Sequence, residues 1–268
     1  MYCRSGTSIR RRRLAGFARG PGRCSLAILL LVGACTRATP APGLDPTRFE
    51  PEIRAFEAAD RASPPPLGGV VFIGSSSIQH WSDVASDFPN VPVLNRGFGG
   101  STLADVVYYE DRALLPYRPH LVVLYAGDND LAEGRTPERV LGDYRAFVAR
   151  LRSALPAVRV AYVSIKPSPS RRAYLDRMRE TNRRIRSEIA RDSLGTYVDV
   201  FTPMLDASGQ PRPELFERDS LHMNRAGYLL WRALLRPVVG GKDGKGGKDG
   251  KDGKVCLGRD SFVIKRFI

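Results

Sequence analysis

Five short apolar runs divide the middle of this chain, and they constrain its fold more than any other feature. They are Val70 to Ile73, Val91 to Leu94, Leu121 to Ala126, Val158 to Ile165 and Thr196 to Phe201. β-Branched residues recur in them and strict apolar/polar alternation is missing, the pattern of strands covered on both faces. Helical periodicity fills the gaps. Thr136-Pro137-Glu138 is a cap with Pro at the first helical position, after which Val140, Tyr144, Phe147, Val148 and Leu151 recur at helical spacing. Residues 171–193 repeat the pattern with Leu175, Met178, Ile185 and Ile189, and Gly195 closes it. Asn224 opens a last helix carrying Tyr228, Leu229, Trp231, Leu234 and Leu235, which Pro237 is expected to stop. An earlier helix over about 47–62 sets Phe49, Ile53 and Phe56 on one face. Strand and helix alternate, which predicts an α/β chain: a three-layer α/β/α sandwich on a central parallel sheet of about five strands.

The two ends belong to other classes of sequence. An arginine-rich stretch (Arg10 to Arg13, Arg19, Arg23) precedes the apolar core Leu26 to Val32, then Gly33, Ala34 and Cys35. That is an export signal, and its apolar core is too short to span a bilayer. Val32-Gly33-Ala34-Cys35 resembles the bacterial lipobox, which implies lipid attachment at Cys35; an ordinary secretory peptide cut near Ala34 to Thr36 is the alternative. The expectation is an exported protein, anchored as a lipoprotein facing the periplasm or the cell surface, otherwise secreted or periplasmic. Once Cys3 and Cys24 are removed and Cys35 acylated, Cys256 alone remains, so no disulfide framework is expected. The organisation reads as export signal 1–35, a Pro/Ala-rich tether 36–46, a folded α/β domain 47–238, and a Gly/Lys/Asp tail with an unassigned end over 239–268.

Formal charge, +14 overall, sits mostly at these ends. Residues 1–23 carry +7 and residues 239–268 carry +4, leaving +3 on the body. A near-neutral body lacks the clustered cations that phosphate backbones require, so nucleic acid is excluded as a partner.

In parallel α/β sheets, ligands bind beyond the carboxyl ends of the strands. After the first run comes Gly74-Ser75-Ser76-Ser77, after the second Gly97-Phe98-Gly99-Gly100-Ser101-Thr102, and after the third Gly127-Asp128-Asn129-Asp130. Asp219-Ser220-Leu221-His222 lies beyond the fifth. One sheet edge therefore collects a serine, a glycine turn, an amide, a carboxylate and a histidine, the parts of a serine acyl hydrolase. Other motifs fail: Thr102 stands where a dinucleotide fingerprint needs Gly, and no Gly-Lys-Ser/Thr follows a glycine run. Ile78 breaks G-x-S-x-G, and no metal-ligand cluster appears, so neither metal nor cofactor is expected.

Those four blocks, in that order over residues 66–237, resemble the SGNH hydrolases, also called the GDSL esterase and lipase family. The resemblance implies a flavodoxin-like sandwich and a serine acyl-ester hydrolase, with Ser76 as nucleophile, His222 as base and Asp219 as acid. It also implies an oxyanion hole made by Ser76, Gly100 and Asn129. Ser75 stands where the family commonly has Asp, which leaves Ser76 or a neighbouring serine as the nucleophile; Ser76 is favoured by its place after the Gly-x pair. The expected substrate is a small-molecule ester, with glycan and lipid esters both open. An acyltransferase using the same triad and a non-catalytic binding lipoprotein are the alternatives, and oligomeric state is not legible.

The remaining candidates are weighed on the residues alone. His120 opens the third strand, at the wrong edge for catalysis, and reads as structural. His80 either borders the cleft or is an exposed surface residue. Lys166 to Arg172 either brings cations, Lys166 first, to the substrate or is a solvated loop. Asp128 and Asp130 read as structural groups bonding loop amides, and Tyr108, Tyr109 and Tyr125 as packing.

Overall fold

The computed structural model of the chain describes residues 45 and 47–240. The export signal with Cys35, the tether apart from Asp45, and nearly all of the tail with Cys256 lie outside the described residues. No helix among the described residues is long and apolar enough to cross a membrane.

The first helix, α1 (Glu50–Ala62), leads into β1 (Val70–Gly74), and the short helices α2 (Ser76–Gln79) and α3 (Val84–Asp87) separate it from β2 (Val93–Gly97). Then follow α4 (Leu103–Ala113), β3 (Leu121–Tyr125), α5 (Asp128–Ala132), α6 (Pro137–Ala154) and β4 (Arg159–Val163). The chain continues through α7 (Leu175–Ile189), β5 (Gly195–Val198) and α8 (Arg225–Val239). All five strands are parallel in the order β2-β1-β3-β4-β5, as the alternating pattern predicts.

The period of two along each strand sorts side chains into two cores. Val71, Ile73, Val122, Leu124, Val160 and Tyr162 face a cluster with Ile53, Val106, Phe147 and Ile185, under α1, α4, α6 and α7. Val70, Phe72, Leu121, Val123, Tyr125 and Val163 face the other, with Trp81, Phe88 and Trp231 under α2, α3 and α8. Every residue of β1 and β3 is buried, which explains why those runs do not alternate. Register brings the strand ends level: Gly74 lies opposite both Gly97 and Tyr125. A Cβ at residue 74 would come within 1.8 Å of the Tyr125 carbonyl oxygen, so only glycine lets the strands meet where the loops begin.

Several boundaries differ from the sequence reading. The second strand runs two to three residues later than 91–94. Pro92 lends its carbonyl to Val70 but has no N–H for the ladder, and pairing continues through Asn95 and Arg96 to Gly97. Buried Arg96 is matched there by Asp60 and the Tyr117 hydroxyl. Helix α4 was not read from the sequence, although Thr102 and Asp105 form a capping box at its start. On that helix Tyr109 is buried while Tyr108 is exposed, so of this pair only Tyr109 packs as expected. The helix expected from residue 171 begins instead at Leu175, after a 3-10 turn over Pro169–Tyr174. Pro237 does not stop α8. It sits in the last turn, and the helix continues to Val239, whose side chain is buried in the core.

Candidate active site

Each block identified in the sequence lies at the carboxyl edge of the sheet. Ser75, extended in backbone, donates its N–H to the Tyr125 carbonyl at 3.0 Å, and its own carbonyl accepts the N–H groups of Ile78 and Gln79 as the chain turns into α2. That turn buries Ser75 and Ser77 with both hydroxyls unpartnered among the described residues, and leaves Ser76 partly exposed. Only Ser76 of the three reaches the histidine: its Oγ lies 3.2 Å from His222 Nε2. The other ring nitrogen, Nδ1, lies 2.6 Å from Asp219 Oδ2.

The Asp219–His222 loop is fixed mostly by its own backbone. Asp219 Oδ1 accepts the N–H groups of Leu221 and His222, each at 2.9 Å. Those two backbone donors, ahead of the imidazole, hold the Asp219 carboxyl down to about 2, so it is an anion at any working pH. Ser220 has φ +60°, a left-handed residue that closes the loop tightly enough for these bonds. Asn224 ties the loop to the fold. Its Oδ1 caps α8 by accepting from Ala226 and Gly227, and its Nδ2 donates to the carbonyls of Glu214 and Phe216.

The glycine loop after β2 passes beside the serine, since a Cβ on Gly99 would lie 3.7 Å from Ser76 Cβ. Gly100 has φ +80° and open space where a side chain would project, leaving its backbone accessible. Asn129 is buried on α5 and donates Nδ2 to the Ser101 carbonyl at 2.9 Å, which joins the third block to the second. Asp130 is fully buried, accepts the Leu103 N–H with both oxygens, and is pushed up to about 7 by burial. Asp128 accepts the Asn129 N–H at 3.0 Å. Both aspartates therefore bond loop amides as expected.

His80 and His222 have ring centroids 4.6 Å apart. Burial first, and repulsion from His222 second, lower the His80 pKa, so it stands neutral beside the site at pH 7. His80 is at once exposed and a wall of the cleft. That cleft, about 290 Å³, is lined by His80, Trp81, Asp83, Glu217, His222 and Tyr228 among others, and Ser76 is not one of its lining residues. His120 bonds the Gly68 carbonyl at the far edge, as expected of a structural group.

The largest departure from the sequence reading is the segment 166–172. Lys166 is neither solvated nor a wall of the cleft. It is 1% exposed, with Nζ 3.6 Å from Asp128 Oδ2, because Asp128 offers a buried anion that only a cation can balance. Arg171 adds a second cation to the same oxygen at 2.9 Å. Its Nη2 also donates to Asn129 Oδ1 at 2.7 Å, a contact the sequence reading missed.

The model of the GDSL-like lipase/acylhydrolase family matches residues 70–230. Among solved structures, the fold is similar to a GDSL-like lipase from Bacteroides thetaiotaomicron, at 21% identity over 70% of this chain and 97% of that one, TM-score 0.61. A lipase/acylhydrolase from Enterococcus faecalis is similar at 23% identity over 64% and 95% of the two chains, TM-score 0.54. A carbohydrate esterase family 3 protein from Talaromyces cellulolyticus is similar at 18% identity over 63% and 95%, TM-score 0.51. At these identities the likeness is one of fold. No curated protein matches the chain.

Proposed function

This chain belongs to the GDSL-like lipase/acylhydrolase family and is a hydrolase acting on esters; from that premise we propose that it works through a Ser76–His222–Asp219 triad and a covalent acyl-enzyme. The observation that carries the proposal is the continuous chain of contacts from Ser76 Oγ to His222 Nε2 at 3.2 Å and from His222 Nδ1 to Asp219 at 2.6 Å. A serine hydroxyl is a weak nucleophile near pH 7, and an imidazole at hydrogen-bond distance is the group that takes its proton as attack begins.

In the first half-reaction Ser76 Oγ bonds to the ester carbonyl carbon while its proton passes to His222 Nε2. The carbonyl oxygen becomes an oxyanion, received by the backbone N–H groups of Ser76 and Gly100 and by the Asn129 Nδ2–H not given to Ser101. Asp219, anionic throughout, keeps Nδ1 protonated and stabilises the imidazolium. As the tetrahedral intermediate collapses, His222 returns the proton to the departing alkoxide, and the alcohol leaves. Water then enters the alcohol's place, gives its proton to His222, and attacks the acyl carbon. The ester bond to Ser76 breaks, Oγ regains the proton, and the carboxylic acid is released.

The test compares the protein with Ser76→Ala on short and longer p-nitrophenyl esters, with and without an added acceptor alcohol. The parent turns over at least one ester and yields mainly free acid, and Ser76→Ala is slower by about 10⁴-fold or more. A new ester as the main product would instead make the protein a transferase, and full activity in Ser76→Ala would remove the triad.

A further inference from the structure

The turn after β4 takes no part in the steps above, yet it sets two cations against the loop that carries Asn129. Asp128 is the meeting point. One of its oxygens accepts the Asn129 N–H, and the other lies 2.9 Å from Arg171 Nη1 and 3.6 Å from Lys166 Nζ. A guanidinium stays charged at every working pH. Because Lys166 shares the carboxylate, the anionic charge is divided between two cations instead of being matched to Arg171 alone.

The second arm of Arg171 reaches the amide itself, with Nη2 donating to Asn129 Oδ1 at 2.7 Å. On the far side, Asn129 Nδ2 donates to the Ser101 carbonyl at 2.9 Å. The orientation is fixed by chemistry, since a guanidinium only donates and a carbonyl only accepts. A flipped amide would set NH₂ against the guanidinium and oxygen against oxygen, losing both bonds inside a buried site. A cation behind the amide oxygen also polarises the group and strengthens its N–H as a donor. The same turn reaches the opposite side of the site, because Ser170 donates its N–H to the Ser220 carbonyl at 3.0 Å, beside Asp219.

We propose that Arg171 is a positioning residue for ester hydrolysis: it locks the Asn129 side chain with Nδ2 facing the developing oxyanion and polarises that amide from behind. The proposal rests on the reading of Asn129 as an oxyanion donor. Arg171 touches no reacting atom, and the route proposed for its effect is through Asn129.

A double-mutant cycle isolates that route. Steady-state kcat and KM on p-nitrophenyl acetate are measured for the full chain, Arg171→Met, Asn129→Ala and the double variant, with thermal melts of each. Asn129→Ala is expected to lower kcat about 10²- to 10³-fold. Arg171→Met is expected to lower kcat about 10- to 100-fold with KM within about threefold, the mark of a group that acts in the transition state. In the Asn129→Ala background, Arg171→Met is expected to remove less than about threefold more, because the amide it positions is gone. Arg171→Lys, which keeps one cationic donor, recovers part of the loss, and it replaces Arg171→Met in the cycle if that variant does not fold.

Three results would overturn the proposal. Arg171→Met with kcat near the parent, while Asn129→Ala is crippled, removes the positioning role and leaves the oxyanion reading standing. Losses that multiply in the double variant assign Arg171 to the general fold. Asn129→Ala with parental kcat removes the oxyanion reading and the proposal with it.

Discussion

On one side of Ser76 the Asp219 and His222 side chains are 48% and 26% exposed, and their contacts span three residues of one loop. On the other side Asp128 and Asn129 are 4% and 9% exposed, and the group that orients Asn129 comes from 42 residues later in the chain. The two sides meet different demands. An imidazole that takes and returns protons must stand where alcohol and water exchange, and a short loop with its own hydrogen bonds suffices to aim it. A donor for an oxyanion is useful only if it does not reorganise as charge develops, which favours burial and bonds to distant, rigid elements. The comparison teaches that activity and stability are separable on the exposed side and joined on the buried side.

Among variants that test this contrast, Asp219→Asn gives the largest expected effect. It keeps a side-chain oxygen to accept the N–H groups of Leu221 and His222 but loses the anion, so kcat should fall by about 10² to 10⁴, while the melting temperature should stay within about 2 °C of the parent. A large drop in melting temperature would break the contrast. Asp128→Ala sharpens it from the other side, because it leaves Lys166 and Arg171 without their shared anion. Breaking a buried pair in this way costs about 3–5 kcal/mol, which urea unfolding measures directly, and activity should fall with stability.

Glu110 shows what burial does to a carboxylate whose oxygens no group bonds, even with the Arg150 guanidinium pulling the other way. It is fully buried on α4, neither oxygen has a hydrogen-bond partner among the described residues, and burial pushes its carboxyl up to about 8. Its folded value lies above the ordinary 4.5, so the folded protein holds a proton that the unfolded chain gives up. Stability is therefore fully present below about pH 4.5 and falls away as pH rises to about 8. Glu110→Gln removes that loss. The variant should match the parent near pH 4.5 and exceed it by about 2–4 kcal/mol above pH 8, as urea unfolding at both values would show.

The same division decides what could be read from the sequence. The strands were legible because β1 and β3 are buried on both faces, which leaves uninterrupted apolar runs. Asp219 and His222 were legible because their contact is local, three residues apart, and three hydrogen bonds follow from one short motif. Arg171 was not, because a cation in a Pro/Ser-rich stretch looks like a solvated loop until the fold sets it against Asp128. The one available signal was indirect: an Asp next to Asn in a buried position needs a cation, and Lys166 and Arg171 stand at the end of the neighbouring strand. Pro237 misled for the opposite reason. Its local rule is sound, but the burial of Val239 outweighs one lost backbone bond in the final turn.

The most direct test of the central claim is to label the protein with a fluorophosphonate, in which the attacking oxygen bonds to phosphorus and fluoride leaves, and to locate the adduct by peptide mass spectrometry. The expected result is one adduct, on Ser76, lost in Ser76→Ala and strongly slowed in Asp219→Asn. An adduct on Ser75 or Ser77, or none on the folded parent, would contradict the assignment of Ser76 as the residue that His222 activates.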